Sequence, residues 1–284
     1  MTKDFKYKHN TGRFVTKDGL QLFEQHWIPE NEIKAVIVIV HSYLEHSSRY
    51  CYFAEKLVEN GFAAATYDLR GHGHSEGIKA FVWTFDEYED DLDTFIKRIY
   101  DYYPGKKIFL AGHSMGGTIA AFFSLRPYLY NIKGLILTSP AVEKGDGFSI
   151  IMVVISTFIG KFFPIMSTIK TESSFISRDL SVVENYEKDP LVYHKGAPAK
   201  TAYEIQNATK KIQKKINEIS MPFFILHGGE NRIVDVKGSI KFYEMAKSKD
   251  KKLKIYERLY HEILNEPEKN EVINDIIEWI NNRI

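Results

Sequence analysis

The chain has 284 residues, 44% of them hydrophobic and 26% charged, which excludes a disordered or collagen-like polymer and leaves enough length to bury a large core without staples. Lys and Arg number 38 against 37 Asp and Glu, and the resulting net charge of +1 argues against nucleic acid as the main partner. A single cysteine, Cys51, excludes an internal disulfide and any multi-thiolate metal site, and it fits a reducing compartment.

The first ten residues contain no apolar h-region, so no secretory signal is expected. Two strands open the chain, Arg13 to Thr16 and Leu20 to Trp27, around Lys17-Asp18-Gly19, where Asp-Gly supplies the positive φ of a tight turn. Ala35 to Val40 is a run of apolar, mostly β-branched residues that suits a strand covered on both faces. Ser48 to Asn60 reads as a helix capped by Gly61, and Phe62 to Tyr67 as the next strand. From Asp86 to Tyr103 a helical stripe carries Tyr88, Leu92, Phe95, Ile96, Ile99 and Tyr103. The six acids between Asp86 and Asp93 are expected to favour the positive end of that helix dipole and to face water.

Lys107 to Ala111, Leu135 to Thr138, Phe223 to Leu226 and Leu253 to Arg258 read as short buried strands. Thr118 to Leu125, Val236 to Ala246 and Pro267 to Ile280 read as helices, the last turning Val272, Ile273, Ile276, Ile277 and Ile280 inward. Strands alternating with helices predict an α/β fold with a mostly parallel sheet. From about 141 to 216 no buried-strand run occurs, so the expected organisation is a core of residues 1–140 and 217–284 with a helical cap inserted between them. The longest uncharged stretch, Gly147 to Gly160, has 14 residues and is too short to span a bilayer, so a soluble, cytoplasmic protein, at most peripheral to membranes, is expected.

The sharpest chemical signal is Gly112-His113-Ser114-Met115-Gly116, a G-x-S-x-G pentapeptide between a strand and an apolar helix. A serine on so sharp a turn has a strained backbone, and glycines on either side let the chain pass itself. Ser114 is therefore the candidate nucleophile. Its hydroxyl needs a base, and the order Ser, acid, His that goes with such an elbow places that base after the last strand, at His261. The oxyanion formed on attack would be held by the amides of Met115 and of Tyr43, in the loop His41 to Tyr50. His72-x-His74 lacks further partners at ligand spacing and reads as a glycine-rich turn; no metal and no cofactor are implied.

Four segments carry a family likeness: HSYLEHSSRY (41–50), DLRGHGHSEG (68–77), GHSMGG (112–117) and YHEILNEPE (260–268). Together they resemble the monoacylglycerol lipase and lysophospholipase family of α/β-hydrolases over nearly the whole core. The resemblance implies an ester hydrolase for monoacylglycerols, lysophospholipids or similar esters, with Ser114 as nucleophile and His261 as base. It also matches Tyr186 to a cap tyrosine that contacts the glycerol part of the substrate. The family's catalytic acid falls at Asn231 here, in His227-Gly228-Gly229-Glu230-Asn231-Arg232-Ile233-Val234-Asp235, where an Asp is expected. An amide carries no charge and can hold the imidazole in the wrong tautomer. A deliberate inactivating substitution is one explanation; another is that Asp235 or Glu230 stands in, although an N-cap role explains Asp235 fully.

In the cap, the apolar stretch around Ile151, Ile155 and Phe158 reads as a lid lining an acyl-chain tunnel and touching a lipid surface, with six lysines between Lys195 and Lys215 able to meet anionic lipid. The leading expectation is a serine ester hydrolase of monoacyl lipids working through an acyl-enzyme. Two alternatives stand beside it: a catalytically silent protein of the same fold that binds a lipid or small ligand, and a peptidase, thioesterase or non-lipid esterase.

Overall fold

The computed structural model describes residues 6–126, 130–143, 163–167 and 172–284. An eight-stranded sheet forms the middle of the molecule, ordered β1-β2-β4-β3-β5-β6-β7-β8. The strands are β1 (Tyr7–Val15), β2 (Gln21–Pro29), β3 (Val36–Val40), β4 (Ala63–Tyr67), β5 (Ile108–His113), β6 (Ile132–Thr138), β7 (Phe223–Gly228) and β8 (Lys251–Tyr256). The opening hairpin pairs antiparallel and joins β4 antiparallel; every pairing from β4 to β8 is parallel. The hairpin is longer at both outer ends than the sequence pattern suggests, because its polar first strand is stabilised by pairing rather than by burial.

Side-chain alternation divides the core into two layers. Val36, Val38 and Val40 face one side, against Leu92, Phe95 and Ile96 of α2 (Asp86–Tyr102), Ile119 of α3 (Met115–Phe123) and Phe242. Ile37 and Ile39 face the other, against Phe53 and Leu57 of α1 (Cys51–Glu59) and Ile273, Ile276 and Trp279 near the C-terminus. Between β6 and β7 the described residues include two helices, α4 (Leu180–Lys188) and α5 (Ala199–Lys215). Helices α6 (Val236–Met245) and α7 (Lys269–Asn281) complete the order.

Two expectations need correction. Asp91 and Asp93 do not face water: both are buried, Asp91 in a bidentate pair with Arg70 (2.6 and 2.7 Å) and Asp93 within 3.3 Å of both Lys17 and Arg126. Arg70 also reaches Asp18 at 2.9 Å, so the acidic start of α2 clamps the hairpin turn rather than serving only the helix dipole. Strand β8 is not a buried strand. It is a sheet edge on which only Tyr256 is buried, and its lysines discourage pairing with another chain.

The crossover β3-α1-β4 runs to one side of β3, while β4-α2-β5 returns to its other side. The carboxyl ends of β3 and β5 therefore flank the point where the winding reverses, which is where parallel sheets open a crevice for ligands. Val40 pairs with Gly112 at that point.

Candidate active site

Strand β5 runs through Gly112 and His113 before the chain turns, two residues further than the apolar run alone indicates, because His113 still pairs with Thr138 of β6. Ser114 follows at φ 51° and ψ −116°, and α3 begins at Met115. This backbone is strained for a residue with a Cβ. A Cβ on Gly112 would lie 2.4 Å from the carbonyl oxygen of Gly116, and one on Gly116 would lie 2.2 Å from that of Val40. The two glycines thus let the start of α3 press against the end of β3. Ser114 is held by its own amide on Thr138 O (2.9 Å) and by its carbonyl, which accepts from Ala141 N–H (3.0 Å).

The loop after β3 lies beside that elbow. His41 takes the Leu69 N–H on Nε2 (2.8 Å) and so donates from Nδ1 to Ser42 O (2.6 Å). Ser42 N–H donates to Glu45 Oε1 at 2.7 Å, whereas the Tyr43 N–H finds no acceptor among the described residues. Leu44 sits at φ 69°, a conformation costly for a leucine. Glu45 also accepts from Tyr50 (2.7 Å) and Arg49 (2.9 Å), and Arg49 continues to Glu262 (2.5 Å), the neighbour of His261. Burial opposes ionisation of Glu45, but the adjacent Arg49 guanidinium, with the His113 and His41 rings, holds its carboxyl down at about 2. This buried ion-paired chain ties the loop of Tyr43 to the loop of His261. The Met115 amide, first in α3, has no carbonyl four residues back within its helix, so both candidate oxyanion donors are available.

Tyr186, on α4, packs its ring 4.8 Å under the Arg49 guanidinium, which puts it against the same chain of charges. His46 reaches Asp189 at 2.8 Å and Tyr193 N–H donates to Leu44 O at 2.9 Å, so the segment after α4 is fastened to the candidate oxyanion loop.

His261 lies in the loop after β8, its carbonyl fixed by Ser139 Oγ (2.9 Å). Its ring stands 4.7 Å from that of His113, the residue before Ser114. No hydrogen bond joins Ser114 Oγ to His261 among the described residues. His261 Nδ1 is 3.0 Å from the amide nitrogen of Asn231. Burial, then the neighbouring His113 and His227 rings, push the His261 pKa well below the ordinary imidazole value, and no carboxylate offsets them.

The structure therefore brings Asn231 to His261, as the alignment of motifs anticipates, and leaves Asp235 elsewhere. Asp235 caps α6 by accepting Lys237 N–H at 2.8 Å, and neither it nor Glu230 bonds His261 among the described residues. Asp235→Ala is expected to cost about 1 kcal/mol of stability by thermal unfolding and to leave ester turnover within about threefold, since a cap and not an acid is lost. A collapse in turnover would make Asp235 the acid instead. Ile151, Ile155 and Phe158 lie outside the described residues. Sequence reasoning missed His227, Glu45, Arg49 and Glu262 as parts of the site. The i,i+4 spacing of Glu45 and Arg49 was visible, but their link to Glu262 spans 213 positions.

Comparison with known proteins gives the family and the fold. The family model for serine aminopeptidase, S33, matches residues 31–268. The chain is 34% identical to the monoglyceride lipase of Homo sapiens, covering 95% of this chain and 89% of that one. It is 31% identical to the monoacylglycerol lipase of Mycolicibacterium smegmatis, covering 94% and 95%. Among solved structures, the monoacylglycerol lipase of Paleococcus ferrophilus superposes with a TM-score of 0.82 at 28% identity, over 98% of this chain and all of that one (100%).

Proposed function

Because the chain belongs to the serine aminopeptidase S33 family of α/β-hydrolases, we propose that it is a serine ester hydrolase acting on monoacylglycerols, with Ser114 as its nucleophile. The observation that carries this is the strained Ser114 at the carboxyl end of β5, where α3 starts against the end of β3, with the helix-start amide of Met115 and the uncommitted amide of Tyr43 as the candidate oxyanion donors. Ser114 Oγ attacks the ester carbonyl, the two amides hold the oxyanion, and His261 takes the hydroxyl proton and passes it to the leaving glycerol. Water then attacks the acyl-enzyme by the same route, releasing the fatty acid and the free serine. Asn231 retards both steps, since no carboxylate supports the imidazolium.

Residues 141–216 act as a cap over a core of 1–140 and 217–284. Support comes from the fastening of Tyr186 and Asp189 to the loop of Arg49 and His46. Tyr186 borders the glycerol end of the substrate. No helix among the described residues is long and apolar enough to cross a membrane. Contact with lipid is through the surface of the cap, where Phe163, Ile165, Met166 and Leu180 are exposed.

Hydrolysis of 1-monoacylglycerols and nitrophenyl esters of graded length tests this. Between acetyl and decanoyl the kcat/KM is expected to rise at least about tenfold, since each buried methylene contributes roughly 0.8 kcal/mol. A preference for acetyl would remove the lipid assignment and leave a short-chain esterase.

A further inference from the structure

Four polar neighbours converge on the Asn231 side chain. Its Oδ1 accepts the backbone N–H of Ile233 at 2.9 Å and of Val234 at 3.0 Å. A backbone N–H can only donate, so these two bonds fix the oxygen end, and the amide nitrogen must face the rings. It lies 3.0 Å from His261 Nδ1 and 3.1 Å from His227 Nε2, one ring for each of its two hydrogens. Both ring nitrogens therefore present lone pairs. On His227 the proton then sits on Nδ1, which donates to Ser239 Oγ of α6 at 2.7 Å. On His261 it sits on Nε2, at the far side of the ring. The longer contact of His227 Nε2 to Val234 O, 3.3 Å, serves the opposite tautomer.

We propose that His227 is a positioning residue whose tautomer and that of His261 are set together through the side chain at position 231, and that Asn231 holds the proton of His261 on Nε2. That nitrogen has to be empty to take a proton from Ser114, so the inference deepens, and rests on, the assignment of Ser114 and His261 as nucleophile and base. With a carboxylate at 231 both rings invert. One oxygen keeps the Ile233 and Val234 amides, and the other accepts from His261 Nδ1–H and His227 Nε2–H. The Ser239 hydroxyl, able to donate as well as accept, turns its proton toward His227 Nδ1. After that inversion the pocket offers four donors to a carboxylate of the same shape.

Imidazole 15N spectra of the labelled full chain near pH 8, with the two rings assigned by single substitution, test this directly. The chain with Asn231 is expected to show a protonated Nε2 on His261 and a protonated Nδ1 on His227. Asn231→Asp is expected to reverse both. A protonated Nδ1 on His261 in the Asn231 chain, or a His227 tautomer common to both proteins, overturns the proposal.

A second arm uses turnover in the Asn231→Asp background. His227→Leu is expected to lower kcat about tenfold with KM within about twofold, and His227→Gln, which keeps an N–H donor, to recover most of the loss. An unchanged kcat in His227→Leu also overturns it. Labelling of Ser114 by a fluorophosphonate in Asn231→Asp separates the two assignments. Labelling without inversion defeats only the role of His227, whereas no labelling defeats the hydrolase itself.

Discussion

Asn231→Asp is expected to raise kcat/KM for nitrophenyl and monoacylglycerol esters by about 10² to 10⁴, the upper end matching the loss in turnover on the equivalent amide exchange in serine proteases. Two causes act in the same direction. The first is the tautomer: with the amide nitrogen 3.0 Å from His261 Nδ1, the neutral ring carries its proton on the wrong nitrogen. Turning the amide over would break two hydrogen bonds from Ile233 and Val234 and set their N–H groups against its own. Each such broken bond in a buried site costs about 1–3 kcal/mol. The second is charge. Burial and two neighbouring rings already depress the His261 pKa, so the imidazolium formed during attack lacks support; a carboxylate at hydrogen-bond distance supplies it. The pocket needs no movement of its heavy atoms, because once each ring shifts its proton to the nitrogen facing position 231, donors face every direction from which the carboxylate would accept. Initial rates over pH 6–9 for the two chains decide the matter. Equal rates would mean either that His261 works unaided or that it is not the base.

How much of this is legible in the sequence depends on how far apart the partners lie. Ser114 was legible because strand, elbow and helix are contiguous, so the strain and the glycines that relieve it sit within five residues. His261 was legible from order alone, and Asn231 from a motif with one letter changed. The burial of Asp91 was not legible, since its partner Arg70 belongs to a different element and nothing in a helical stripe marks a charge that will be paired. Nor was the role of His227. A histidine ending a buried strand looks like any core histidine until the turn at 231 folds back onto it. The chain from Glu45 through Arg49 to Glu262 shows the same limit, because only the assembled sheet brings residues 45 and 262 together. Local strain and order survive in a sequence; long-range pairing of charges does not.

Ser114→Ala in the Asn231→Asp background is expected to reduce turnover by about 10⁵ to 10⁶, to the residual level that oxyanion donors and binding alone sustain. In the parent Asn231 chain the same substitution should remove a much smaller factor. Residues that act as one unit are not additive, and a serine whose base is held in the wrong tautomer has less to lose. The ratio between the two losses measures how strongly position 231 couples to the nucleophile. Stability gives an independent reading of the same residue. Ser114 holds φ 51° with ψ −116°, a region that costs a residue with a Cβ about 1–3 kcal/mol. Alanine keeps that cost, so Ser114→Ala should unfold within about 0.5 kcal/mol of the parent. Ser114→Gly, freed of it, should be more stable by about 1 kcal/mol. A side chain whose removal stabilises the protein and abolishes turnover is retained for chemistry. If instead Ser114→Gly is the less stable protein, or Ser114→Ala still hydrolyses esters at the parental rate, the elbow is a structural turn and the nucleophile lies elsewhere.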